Sequence, residues 1–248
     1  MPQRDGSPLG DVEALVFDVF GTVVDWHGTV VRELEALGRA HAVEADWPRF
    51  ANRWRQGYIE GILHVIAGQT PWKLVDEIHR ERLGPLLEEA GLATKLGPIE
   101  TEDLNRVWHR LDPWPDSVAG LRRLESRWVI ATLSNGNVSL LVDMAKRARL
   151  PWNCILSAEM IGRYKPDPEV YRWAARVLGR EPHQIALVAA HPPDLEAARG
   201  VGLRTLYVSR PLEYGPGREA AFPVSGNEFD LHAVDLVDLA AKLEPHAG

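Results

Sequence analysis

The sequence predicts an α/β fold: a doubly wound parallel sheet interrupted by one block of helices. Three observations carry this expectation. Short apolar runs that end abruptly in polar turn residues recur along the chain, as strands buried on both faces do. Helical periodicities fill the gaps between the later runs, which is the alternation of βαβ units. One long stretch, residues 27–112, carries helical spacing and no strand pattern.

Residues 13–20 form the first run and end on Gly21 and Thr22, as a buried strand entering a tight turn does. The helical stretch follows. Val31, Leu34 and Leu37, then Trp54, Tyr58 and Ile62, then Leu83, Leu86 and Leu87 recur at helical spacing, and Pro113 and Pro115 mark the exit. Ser117–Glu125 is expected to be a helix from Val118, Leu121 and Leu124. Residues 128–133 are expected as a strand ending in Ser-Asn-Gly, and Val138–Ala148 as the helix after it. Pro168–Leu178 opens with Pro in the first turn, where its missing N–H costs nothing. A strand over 184–190 ends in His-Pro-Pro-Asp, a helix over 194–201 closes at Gly202, and a strand over 204–208 follows. Residues 229–243 supply a last short strand and helix. The expected organisation is a loose tail over 1–10, a Rossmann-like core from 11–26 and 113–248, and a helical cap domain over 27–112.

Composition bounds the function. The 248 residues are 45% apolar and 25% charged, which excludes a disordered chain and a disulfide scaffold. The net charge of -7 gives no electrostatic footprint for nucleic acid. No apolar run approaches the roughly 20 residues that span a bilayer, and the first eleven residues lack the apolar stretch of a signal peptide. The single cysteine, Cys154, has no intrachain partner and fits a reducing compartment. A cytoplasmic protein without membrane or nucleic-acid partners is expected, with a homodimer as the default assembly.

Ligands of open α/β sheets bind outside the carboxyl ends of the strands, so the strand ends are where chemistry is sought. Asp18 closes an apolar strand. An unpaired buried carboxylate is expensive, so it needs a partner; it is either a cap for the following turn or a nucleophile. Thr22 could orient it. Ser134-Asn135-Gly136 is ordinary turn chemistry when taken alone. Lys165, in Lys-Pro-Asp-Pro, is alone an ordinary surface lysine. His191 and Asp194 follow a strand end. His191 is either a general base, with a reference pKa near neutrality, or a structural histidine.

Together, in this order and spacing, Asp18-x-Phe-Gly-Thr22, Ser134-Asn135-Gly, Lys165-Pro-Asp and Asp194 resemble the haloacid dehalogenase superfamily over nearly the whole chain. The resemblance is nearest to the L-2-haloacid dehalogenase branch, whose cap is also a helical insert after the first motif. Trp54-Arg55-Gln56 resembles the segment bearing that family's halide-cradling arginine, and Tyr171 matches an active-site tyrosine. The superfamily's phosphatases carry a second aspartate two residues after the nucleophile, to protonate a departing alkoxide. Here that residue is Phe20, and a halide needs no acid. The acidic set around Asp194 is also thin for a hard cation.

The resemblance implies metal-independent hydrolysis of short L-2-haloalkanoic acids to 2-hydroxy acids, through an ester on Asp18 and with no cofactor. Arg55, Asn135 and Phe20 would cradle the halide. Ser134 and backbone N–H groups would hold the carboxylate, with Tyr171 nearby. Lys165 and Thr22 would keep Asp18 ionised, and His191 or Asp194 would activate water. The chain departs from the pattern at Ala189 and His191, where serine and asparagine are expected. Three alternatives stand beside this one: a small-molecule phosphatase, a dehalogenase-like hydrolase of another substrate, and a binding protein that keeps the fold. Asp25 and His27 are weaker candidates at the cap hinge. His64, His79 and His109 show no metal spacing. Trp47, Trp54, Trp72, Trp108 and Trp114 either pack the cap or line a cleft, and Gly215-Pro216-Gly217 is a loop.

Overall fold

A computed structural model describes residues 9–218 and 228–244. Most of the expected tail, 1–8, lies outside the described residues; its end does not hang loose, because Leu9 packs against the core. Six parallel strands form one sheet in the order β5-β4-β1-β6-β7-β8: β1 (Ala14–Phe17), β4 (Val129–Ser134), β5 (Cys154–Ser157), β6 (Ile185–Ala189), β7 (Arg204–Val208) and β8 (Leu231–Ala233). β1 is central, with Ala14 opposite Val129 on one side and Ile185 on the other.

Alternation along β1 divides the core. Leu15 and Phe17 point into one apolar cluster, with Leu121, Leu140 and Leu236. Ala14 and Val16 point into the other, with Val170, Tyr171 and Leu195. Those residues come from α5 (Ser117–Glu125), α6 (Val138–Ala148) and α9 (Leu236–Leu243) on one face and from α7 (Pro168–Leu178) and α8 (Pro192–Gly200) on the other. This is the doubly wound sheet the sequence predicts. The chain leaves β1 for β4 on one side and later returns to β6 on the other, so a crevice opens at the carboxyl end of β1.

Four helices occupy the predicted helical stretch: α1 (Trp26–Ala40), α2 (Trp47–Ile66), α3 (Val75–Glu89) and α4 (Pro98–Asn105). Asp25 and Asp46 cap α1 and α2 by accepting from Gly28 N and Arg49 N. Two-residue strands, β2 (Val24–Asp25) and β3 (Asp112–Pro113), pair antiparallel where the chain enters and leaves the insert. A second tie crosses from the insert to the sheet side. His109 contacts Asp76 through Nε2 at 3.0 Å and Asp143 of α6 through Nδ1 at 2.8 Å, and Asn137 donates to Asp76 at 2.6 Å.

Burial would lower the His109 pKa, but the hydrogen bonds to Asp76 and Asp143 outweigh it and raise it, despite nearby Arg106. A group with a raised folded pKa contributes stability that is full below the unfolded value and lost as pH rises through the folded one. Urea titrations of His109→Gln therefore show a larger stability deficit at pH 6 than at pH 9.

Candidate active site

Asp18 follows β1 directly and is buried. Its N–H bonds to Val188 O at 3.0 Å, which fixes it beside β6. Gly21 then turns the chain with φ +81°, a conformation that favours glycine, and a Cβ there would lie 2.2 Å from Glu213 Oε1 and displace that carboxylate. Thr22 donates to Asp18 Oδ2 at 2.8 Å and accepts from Ala190 N at 2.9 Å, joining the ends of β1 and β6.

Lys165 arrives from the segment after β5. Asn135, at the end of β4, clamps its backbone, accepting from Lys165 N at 2.7 Å and donating to Lys165 O at 3.2 Å. The Lys165 ammonium reaches Asp18 Oδ1 at 3.0 Å and Asp194 Oδ2 at 2.5 Å. Asp194 sits in the first turn of α8, and the Tyr171 hydroxyl donates to its other oxygen at 2.5 Å. The sequence pattern places the start of this helix at Asp194. The prolines at 192 and 193 start it earlier, since Pro suits the first helical turn.

His191 stands between two carboxylates. Nδ1 is 2.9 Å from Asp18 Oδ2, and Nε2 is 2.9 and 3.0 Å from the two Glu213 oxygens. Glu213, in the loop after β7, also accepts from Trp26 Nε1 at 3.1 Å. Burial would raise the Asp18 carboxyl, but Lys165 and His191 outweigh it and hold Asp18 far below the ordinary carboxylate range. Burial would lower His191, but Glu213 and Asp18 raise it well above its usual value. His191 is thus an imidazolium in the resting site. Burial and the negative charge of Asp18 raise Asp194 even against Lys165. With Arg55, three cations face three carboxylates, which is how a site this deeply buried stays neutral.

Arg55, on α2, is also buried. Its guanidinium carbon lies 4.8 Å from the Tyr58 ring centre, 5.5 Å from Phe20 and 5.6 Å from Trp26. Its Nε and Nη1 have no hydrogen-bond partner among the described residues. Two desolvated donors in an aromatic cage are costly unless an anion accepts from them. Arg55, Phe20 and Tyr58 line a cavity of about 260 Å³ together with Asp18, Asn135, Lys165, His191 and Asp194. A larger cleft of about 630 Å³, beside His27, Asn52 and Arg218, touches none of these carboxylates.

Two expected substrate contacts have other partners. The Ser134 hydroxyl is fully buried and accepts from Gly136 N at 3.1 Å, so it fixes the turn after β4 and is not on the cavity wall. Tyr171 is likewise off the wall and acts on Asp194. Of the weaker candidates, Asp25 caps α1, and His27 meets Asn52 at 3.3 Å. His79 stacks on Trp108 at 4.1 Å, with burial lowering its pKa well below the usual value. Trp54 and Trp108 pack against each other at 5.3 Å and do not line the cavity. Sequence reasoning missed Glu213, and it read Tyr58 only as part of an apolar stripe. Glu213 was within reach of the strand-end rule, since it lies five residues past the end of β7.

The model of the haloacid dehalogenase-like hydrolases matches residues 12–202. A crystal structure of an L-2-haloacid dehalogenase is 43% identical over 94% of this chain and 100% of its own, with a TM-score of 0.87. The (S)-2-haloacid dehalogenase 4A of Burkholderia cepacia is 30% identical over 219 residues, 83% of this chain and 88% of that one. A phosphoserine phosphatase of Thermus thermophilus is also 30% identical, over 182 residues, 72% of this chain and 68% of that one.

Proposed function

The chain belongs to the haloacid dehalogenase-like hydrolase family, and from that premise we propose that it hydrolyses short L-2-haloalkanoic acids to 2-hydroxy acids, without a metal, through an ester on Asp18. The observation that carries this reading is Arg55: a buried guanidinium that lines the cavity with the ionised Asp18 and has two N–H donors without an acceptor among the described residues. An anion that forms opposite the nucleophile is what such a pair can stabilise.

An Asp18 oxygen attacks C2 from the side opposite the halogen, and the halide leaves with the bonding pair into the Arg55 cage, beside Phe20. Lys165 and Thr22 orient Asp18 for this attack. Ester formation removes the negative charge that faced His191 Nδ1, so the imidazolium loses half of its support and releases its Nδ1 proton to solvent. Glu213 retains the Nε2 proton as its hydrogen-bond partner, which leaves the Nδ1 lone pair facing the ester. Water then adds to the Asp18 carbonyl carbon. One of its protons restores the imidazolium, and the other ends on the departing alkoxide as the ester bond breaks. Asp194, tied to Lys165 and Tyr171, is a positioning group in this scheme. The reading takes residues 27–112 as a cap over the core, the cytoplasm as compartment and a homodimer as assembly, the last from the prevalence of two-fold dimers.

Kinship with a phosphatase favours a second reading, phosphate-ester hydrolysis. The site chemistry opposes it. Phe20 cannot protonate an alkoxide, and no group of three His, Cys, Asp or Glu side chains among the described residues is arranged to hold a metal ion. Halide release from separate enantiomers of 2-chloropropionate in excess EDTA decides between them. The expected result is release from the L enantiomer alone. No release, with phosphate-ester cleavage restored by Mg²⁺, would overturn the assignment.

A further inference from the structure

The cavity has charged and apolar lining residues. The apolar ones are a stripe of α2, Ile59, Ile62, Leu63 and Ile66, together with Pro166 and Pro193, the neighbours of Lys165 and Asp194. These four positions are i, i+3, i+4 and i+7, one continuous helical face. Ile62 is buried, but Leu63 is 54% and Ile66 46% exposed, so part of this apolar face is open to water. From Ile59 to Ile66 it is about 10 Å long, enough for an extended tail of about seven carbons. The cavity's roughly 260 Å³ is on the order of nine water volumes, more than the six heavy atoms of chloropropionate need.

We propose that this stripe is a subsite for the alkyl tail of the substrate, so that medium-chain L-2-haloalkanoic acids of about eight carbons are preferred to the two- and three-carbon acids. The acid head and C2 lie between Asp18 and Arg55, and the chain from C3 onward lies along Ile62, Leu63 and Ile66. A tail in this position covers Leu63 and Ile66 from water, and apolar burial then favours binding at each added methylene. The inference rests on the dehalogenase reading and extends its substrate class from short to medium-chain acids.

The test is kcat/KM for halide release from the L enantiomers of 2-bromopropionate, 2-bromobutyrate, 2-bromohexanoate and 2-bromooctanoate. One side of the tail stays near solvent, so about a twofold gain per methylene is expected, roughly 30-fold from propionate to octanoate. In Leu63→Gln/Ile66→Gln, altered only at half-exposed positions, the octanoate-to-propionate ratio falls about tenfold. Turnover of 2-bromopropionate with values that are flat or falling toward octanoate would overturn the subsite and leave the dehalogenase reading intact, as would a double variant that keeps the wild-type ratio. No release from any of the four acids would overturn the dehalogenase reading itself, and the subsite with it.

Discussion

Asp18→Asn lowers halide release by at least about four orders of magnitude, the scale on which enzymes lose rate with their nucleophile. The amide keeps the size and shape of the carboxylate but cannot attack C2. The substitution leaves the rest of the site in place. Lys165 keeps Asp194 at 2.5 Å, and His191 keeps Glu213 at 2.9 Å, so neither buried cation loses its last counter-charge. The variant therefore folds. It also binds the acid at least as well as the wild type, because Arg55 is untouched and one negative charge has left a site that receives an anion. Isothermal titration with L-lactate and steady-state halide assays separate the two effects: affinity is kept and kcat is lost. Halide release at a tenth of the wild-type rate would mean that Asp18 is a turn cap and that the nucleophile lies elsewhere.

Glu213→Gln separates the two chemical steps. The amide oxygen can still accept from Trp26, so the loop after β7 keeps its anchor. What is lost is the anion that fixes the Nε2 proton of His191 and stabilises the imidazolium re-formed as water is deprotonated. General-base catalysis of this kind contributes about 10²–10⁴-fold, and removing the carboxylate behind a catalytic histidine costs up to about 10⁴-fold. Rapid-quench assays with L-2-chloropropionate show a burst of one halide per site, followed by a steady rate lower by about two to four orders of magnitude. Mass analysis of the digested protein finds the ester on the peptide that contains Asp18. If halide release in the variant is slow from the first turnover, without a burst, Glu213 serves alkylation and the water-activation scheme is wrong.

The fold was legible from apolar runs, and the site from the polar residues that end them. β1, β4, β6 and β7 each combine a largely apolar stretch with an abrupt polar end. The structure brings Asp18, Asn135, Lys165, His191 and Asp194 to a single cavity at those ends. β5 was not legible: Cys154-Ile-Leu-Ser is half-covered at the sheet edge and has only three apolar residues, so it lacks the pattern of a buried strand. Side-chain direction was beyond sequence as well. Ser134 and Tyr171 lie where the family resemblance puts them along the chain, but their hydroxyls turn to Gly136 N and Asp194. Only packing decides that. Glu213 sits in a loop without periodicity, and its partners, His191 and Trp26, lie 22 and 187 residues away along the chain, so only the fold joins them.

The covalent ester on Asp18 is tested most directly by a single turnover in H₂¹⁸O with enzyme in excess over L-2-chloropropionate. Water attacks the Asp18 carbonyl carbon in this account, so the ¹⁸O appears in the Asp18 carboxylate, and the lactate formed carries an unlabelled hydroxyl. Label in the lactate hydroxyl, with none in the Asp18 peptide, would contradict it, because water would then have displaced the halide directly at C2.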